Sequence, residues 1–334
     1  MNKIVPIVTN TNYDINHNHL MFNKNQTQEI VVSLFSECNL RCKFCFQKNI
    51  ERLKWNPNVT EARLRLTKQS ICNVSRNRIK IKLAGGELFQ DQLIEKGSLN
   101  DYQHFIDEIS EYIKTKNKSC YFTITTNMIL KKHVKEVISF IKQNNIEIIC
   151  SYDFDGRFPS QKHVKLFCEN VELFHKNGID VTINFVVTKK AVDMLTYQQN
   201  HELVIVFNEL YRKYPINYEY YTNMNIAEYD MSEKELGYAL ISLYKLYPEL
   251  INLKIVCNSQ TNISKSCSQT IWIDNTILYQ CCDHKKAVDR FIKNKQCFTC
   301  MHFYRCQMSC PRIFSNNKDC HLKILYDYLN DQSK

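Results

Sequence analysis

Three cysteines stand within eight residues in Cys38-Asn39-Leu40-Arg41-Cys42-Lys43-Phe44-Cys45, the spacing C-x3-C-x2-C. Three thiolates on one short loop can wrap one face of a four-iron cubane and leave the fourth iron without a protein ligand. An open position of that kind belongs to a catalytic metal centre, whereas a structural zinc site closes with four ligands. The nearest spare zinc ligands, His17 and His19, lie well upstream. A second cysteine set stands late in the chain: Cys257, Cys267, the pair Cys281-Cys282, then Cys297-x2-Cys300-x5-Cys306-x3-Cys310 and Cys320. Paired C-x2-C hooks suit either zinc or iron–sulfur clusters. The third chemical signal is Ala84-Gly85-Gly86-Glu87, two of only six glycines and then a carboxylate. Glycine admits close backbone approach, and an anion there can meet an ammonium.

The elements that must position these residues show as a strong alternation. Short runs rich in Val, Ile, Tyr and Thr predict strands at Glu29–Ser36, Ile79–Ala84, Tyr121–Thr126, Glu147–Tyr152, Val181–Val187 and Ile216–Tyr221. Helical patterns fall between them: near Thr67–Arg76, around Phe105–Ile113 and Val134–Ile141, then Gln161–Lys176, Asp193–Tyr214 and Glu233–Tyr247. Ser232 and Glu235 form a capping box for the last. The expected class is α/β, a partial (β/α)6 TIM-like barrel of parallel strands with right-handed crossovers, its site at the strand ends. After about Asn252 the rhythm gives way to cysteines and a hairpin, Thr270–Ile273 and Ile277–Gln280, turning at Asp274-Asn275. The expected division is an N-terminal extension (1–27), the barrel (28–250) and a small cysteine-rich iron–sulfur domain (251–334) stapled by its metals.

Composition narrows the function. The chain has 334 residues, 44% hydrophobic and 23% charged, enough for a sizeable core. The six glycines allow neither a dinucleotide fingerprint nor a P-loop. No secretory signal or transmembrane run is present, so a cytoplasmic setting with no membrane partner is expected. Sixteen cysteines without a signal peptide point to metal or redox work rather than disulfides. Cys72, Cys120, Cys150 and Cys168 sit in apolar surroundings and read as small buried hydrophobes. The net charge of +10 is spread without a basic run, so nucleic acid is not the expected partner.

The triplet loop after the first strand, with Phe44 before the last cysteine, resembles the signature of the radical S-adenosylmethionine enzymes. The resemblance implies that Cys38, Cys42 and Cys45 hold a catalytic [4Fe-4S] cluster whose open iron chelates S-adenosylmethionine, with Phe44, Gly85, Gly86 and Glu87 lining the cofactor site. Glu87 would face the methionine ammonium. Weaker matches are Thr125-Thr126-Asn127, where Met128 replaces the family's glycine, Ser151 and Asp153 in Ser-Tyr-Asp-Phe-Asp-Gly, and Asn184. A two-residue insertion leaves open whether Asp153 or Asp155 corresponds. The C-terminal cysteines resemble the SPASM extension, which implies two auxiliary [4Fe-4S] clusters: Cys267, Cys281 and Cys310 with Cys257 for one, Cys297, Cys300, Cys306 and Cys320 for the other. Thr276 or Ile277 replaces the family's glycine there, and either Cys281 or Cys282 is the ligand. One of Cys282 and Asp283 is expected to be catalytic: Asp283 as base if Cys282 is the ligand, or Cys282 as hydrogen-atom donor if Cys281 is.

The function these resemblances imply is hydrogen-atom abstraction from a peptide or protein: ribosomal-peptide crosslinking, epimerisation or oxidation. The alternatives are dehydrogenation of a small molecule and formylglycine formation of the sulfatase-maturing kind. The partners implied are a flavodoxin or ferredoxin as electron donor and, because few residues precede the first strand, a separate leader-binding protein.

Overall fold

The computed structural model describes residues 27–45, 53–220, 226–250, 270–274, 277–280 and 320–332. In chain order these form β1 (Thr27–Ser33), α1 (Pro57–Cys72), β2 (Arg78–Ala84), α2 (Asp91–Ile94), α3 (Ser98–Thr115), β3 (Ser119–Thr126), α4 (Val134–Asn144), β4 (Glu147–Ser151), α5 (Gln161–Lys176) and β5 (Val181–Val187). Then come α6 (Lys189–Tyr197), α7 (Glu202–Lys213), β6 (Ile216–Tyr220), α8 (Glu233–Leu246), β7 (Thr270–Asp274), β8 (Ile277–Gln280) and α9 (His321–Asp331). The sheet order is β6-β5-β4-β3-β2-β1-β7-β8. β1 to β6 pair in parallel, β7 adds in parallel to β1, and β8 returns antiparallel. The partial barrel expected from the alternation is the fold observed.

The two faces of the sheet arise from strand alternation. In β2, Arg-Ile-Lys-Ile-Lys-Leu-Ala, the side chains of Ile79, Ile81 and Leu83 are fully buried under the helices. Complete burial of each contributes roughly 1.5–3 kcal/mol. Lys80 and Lys82 take the opposite face, and the register places Glu29, Thr123, Thr125, Ser151, Asn184 and Glu219 there with them. Lys82 of the second strand reaches Glu219 of the sixth at 3.9 Å across the strands between. That contact makes this polar face the concave one.

Several expected boundaries shift. α1 starts at Pro57, ten residues before Thr67, because Asn56 caps Val59 N at 3.1 Å and Pro57 sits in the first turn. It ends at Cys72 rather than Arg76. The single helix expected at Asp193–Tyr214 is two, α6 capped by Thr188 and α7 capped by His201. β1 stops at Ser33, not Ser36, since residues 34–37 turn toward the cysteine loop. Asp274, expected in the hairpin turn, belongs to β7 and pairs with Ile277. Cys150 is buried as expected, whereas Cys72 is exposed beside the Tyr112 hydroxyl at 2.7 Å. The capping box of Ser232 and Glu235 is present in full.

Two pieces of the C-terminal region join the barrel. The β7–β8 hairpin extends its sheet, and α9 lies against α8 so closely that a Cβ on Gly237 would stand 2.9 Å from Ile324. No helix among the described residues is long and apolar enough to cross a membrane.

Candidate functional site

β1 delivers the chain to the cysteine loop, and neighbouring strand ends fix that loop from three directions. The first is the turn after β2. Gly86 N donates to Phe35 O at 2.8 Å and Glu87 N to Glu37 O at 2.9 Å. A Cβ on Gly85 would stand 2.1 Å from Phe35 O, and one on Gly86 would stand 1.7 Å from Glu37 O. Gly85 also has φ +138°, in the region that favours glycine. Both glycines are therefore required by the backbone that leads into Cys38.

The second is the end of β3. Glu87 is 2% exposed, and its carboxylate accepts from Phe89 N at 3.0 Å, Thr126 Oγ1 at 2.8 Å and Asn127 N at 2.5 Å. Burial pushes its pKa up while these three donors oppose the shift. Asn127, so placed, donates from Nδ2 to Asn39 Oδ1 at 2.8 Å and lies 3.9 Å from Cys38 Sγ. Asn39 in turn donates to Ile129 O at 3.1 Å. Met128 adopts φ +59°, and Asn170 Nδ2 holds Met128 O and Leu130 O at 2.8 Å each.

The third direction is the loop after β4, where the two aspartates take different partners. Asp153 accepts from Val186 N at 2.9 Å and binds Arg157 Nε at 2.6 Å. Asp155 instead takes the Tyr229 hydroxyl at 3.3 Å. Gly156 O receives Lys43 N at 2.9 Å, and the Arg157 guanidinium lies 5.4 Å over the Phe44 ring. Phe44 also meets Tyr229 edge-on at 5.8 Å. Sequence reasoning missed Arg157, because in a loop its spacing from Asp153 announces no pairing.

Cys42 is 9% exposed, and Cys38 and Cys45 are half-buried. Burial pushes the Cys38 thiol up to about 12, with Glu87 adding to the rise. Burial raises Cys42 too, and Arg157 pulls against it. Thiolates at these positions call for positive partners, which the irons of a cluster supply. Among the described residues no three His, Cys, Asp or Glu side chains converge as they would around one metal ion. A cubane sets a separate iron under each thiolate and needs no such convergence. Three thiolates on one short loop match the donor set of such a cluster.

Around this loop the concave face carries buried polar atoms without a protein partner: Ser33 Oγ, Thr123 Oγ1, Thr125 Oγ1 and Asn184 Oδ1. An unpaired buried polar group is unfavourable by roughly 1–3 kcal/mol, so this face is built for a polar ligand. Ser151 pairs in register with Asn184 on the same face. Of the expected site residues, the structure gathers Cys38, Cys42, Cys45, Phe44, Gly85, Gly86, Glu87, Thr126, Asn127 and Asp153 around the loop. Cys257, Cys267, Cys281, Cys282, Asp283, Cys297, Cys300, Cys306 and Cys310 lie outside the described residues, and Cys320 stands at the N-terminus of α9.

Residues 29–165 match the family profile of a 4Fe-4S single cluster domain. Among solved structures the chain is similar to native anSMEcpe with bound AdoMet, with a TM-score of 0.63 at 16% identity over 92% of this chain and 98% of that one. The same protein with AdoMet and the Cp18Cys peptide gives 0.65 at 16% identity, over the same shares. SuiB of Streptococcus suis bound to S-adenosylmethionine gives 0.52 at 17% identity, over 88% of this chain and 75% of that one. At these identities the likeness establishes the fold. No curated protein matches by sequence.

Proposed function

We propose that this chain is a radical S-adenosylmethionine enzyme that modifies a peptide or protein. The observation that carries the reading is the pairing of two features. Cys38, Cys42 and Cys45 sit on a loop fastened by three strand ends, and a concave face with orphaned polar groups at Thr125 and Asn184 opens beside it. When bound, the cluster and S-adenosylmethionine supply reductive cleavage to a 5′-deoxyadenosyl radical. The chain's own residues position and shield that chemistry. Cys38, Cys42 and Cys45 are the cluster ligands. Thr125, Ser151 and Asn184 offer hydrogen bonds to the ribose and carboxylate of the cofactor, and the buried surroundings of Phe44 and Tyr229 keep water from the loop. Lys80, Lys82, Glu29 and Glu219, further along the concave face, suit a polar substrate such as a peptide. A reduced flavodoxin or ferredoxin would deliver the electron. Auxiliary clusters on Cys257, Cys267, Cys281 and Cys310, and on Cys297, Cys300, Cys306 and Cys320, complete the proposal, with Cys282 or Asp283 at the substrate. Likeness to a fold also seen with a bound peptide supports the substrate class.

The test is anaerobic reconstitution and then assay of 5′-deoxyadenosine under dithionite. Three four-iron clusters predict about twelve irons per chain. Replacing Cys38, Cys42 and Cys45 together by Ala should abolish deoxyadenosine formation and remove about four irons. Deoxyadenosine formed by the triple variant at the parent rate would sink the proposal.

A further inference from the structure

The Asp153–Arg157 pair is the one buried ion pair among the described residues that bears on the cysteine loop. Asp153 is 3% exposed, and its side chain and that of Arg157 are 4% and 13% exposed in their contact. Both carboxylate oxygens of Asp153 are engaged, one by Val186 N and one by Arg157 Nε. The guanidinium is thereby held over Phe44, between the second and third cysteines, while its neighbour Gly156 receives Lys43 N. Gly156 has φ +76°, and a Cβ there would stand 2.7 Å from the Tyr229 hydroxyl and 3.0 Å from Lys43 Cβ. Nothing bulkier than glycine lets this loop close on the cysteine loop. Burial opposes the charge of Arg157, while Asp153 first and then Cys42 and Cys38 favour its protonated form.

The opposite side of the loop is negative. Glu87 is buried behind Cys38 and raises its thiol pKa. A [4Fe-4S] cluster on three thiolates carries one negative charge when oxidised and two when reduced. Its potential responds to nearby charge, hydrogen bonds to sulfur and burial. A fixed cation favours the more negative state, and a fixed anion disfavours it.

We propose that Arg157, aimed by Asp153, is the counter-charge of the cysteine loop and sets the midpoint potential of the cluster upward, against the opposing carboxylate of Glu87. This rests on the cluster assignment of Cys38, Cys42 and Cys45. Arg157 is a positioning residue in this role, acting on the cluster through the field it exerts. No proton moves: one electron enters the cluster from the reductant, and the guanidinium stabilises the product of that transfer.

The experiment is an EPR-monitored redox titration of the reconstituted full chain without S-adenosylmethionine. Iron and sulfide are measured first, and the auxiliary signals are identified in the Cys38, Cys42 and Cys45 triple-Ala variant. Arg157→Gln should reduce at least tenfold less at a fixed potential, a downward shift of about 59 mV or more for one electron. Arg157→Lys should recover most of that shift. Arg157→Met, which keeps the length of the side chain and removes its charge, should shift the potential downward as well, and it decides the sign if the Gln variant fails to fold. An unchanged or raised potential in Arg157→Gln, or in Arg157→Met where the Gln variant fails to fold, at full iron content overturns the proposal while leaving the cluster reading intact. A parent protein that binds no cluster overturns both.

Discussion

Removing the Glu87 carboxylate separates two roles that one residue could play. In the structure its two oxygens take three protein donors, two backbone N–H groups and the Thr126 hydroxyl. Glu87→Ala leaves all three buried donors without an acceptor. At about 1–3 kcal/mol each, offset in part by water entering the space, the expected loss is about 3–6 kcal/mol. That is a large share of the ~5–15 kcal/mol that holds a typical domain. Glu87→Gln is the finer probe. Whichever way its amide is turned, one of the two backbone N–H groups, Phe89 or Asn127, faces an NH2, so the loss should be about 1–3 kcal/mol. The assay is urea unfolding monitored by far-UV circular dichroism under anaerobic conditions at matched iron content, with S-adenosylmethionine binding measured on the same samples. Stability should fall in the order parent, Gln, Ala. If Glu87→Ala unfolds at the parent's denaturant midpoint and loses only cofactor affinity, the fastening argument is wrong. The carboxylate then serves a ligand ammonium, as the sequence motif suggests.

Two further outcomes come from the geometry. Gly86→Ala forces a Cβ to 1.7 Å from Glu37 O, so the loop must move. Loss of two hydrogen bonds and overpacking should cost about 3–5 kcal/mol and displace Cys38, read as a lowered Tm and about four fewer irons. Gly178→Ala, with φ +75° and nothing within 4 Å, should lower Tm slightly and keep every iron; full iron in Gly86→Ala would refute this placement. Glu235 is held down to about 2 by the Ser232 N–H and hydroxyl and by Lys189. Its folded value lies below the ordinary ~4.3, so its contribution is present above that value and fades as pH falls toward 2. Glu235→Gln should destabilise by about 1 kcal/mol at pH 7 and by much less at about pH 2.5, near the folded value, measured by denaturant unfolding at both.

The strands were legible because one-sided burial writes itself as alternation, as in β2, where Ile79, Ile81 and Leu83 face the helices and Lys80 and Lys82 the concavity. α1 was half-hidden because part of its buried side is polar. Thr60 and Arg63 are buried in its first two turns, and Arg63 Nε donates to Ser33 O at 2.8 Å. Hydrophobic periodicity cannot register such residues, although Asn56-Pro57 announces the helix start. The division of α6 from α7 was invisible for the opposite reason. Gln198–His201 contains neither proline nor glycine, and the break depends on His201 capping Leu203 N.

At the site, the cysteine spacing and the glycine pair were readable because their chemistry needs particular residue types. Arg157 was not, since nothing in a lone arginine says which charge it will face. The packing of residues 153–157 explains its placement physically. Phe154 is 1% exposed and locks into rings of Phe185 at 5.8 Å and Phe207 at 4.9 Å. With Phe154 anchored inward, Asp155 turns out to Tyr229, Gly156 meets Lys43, and Arg157 folds back onto Asp153 over Phe44. An aromatic anchor thus converts an insertion that obscured a motif into the lever that places a buried cation. Shortening Phe154 to Ala should therefore act on the cluster as well as on the core. Beyond roughly 3–5 kcal/mol of lost packing, it should lower the midpoint potential in the same direction as Arg157→Gln. Lost packing with an unmoved potential would mean that the loop holds Arg157 without its anchor.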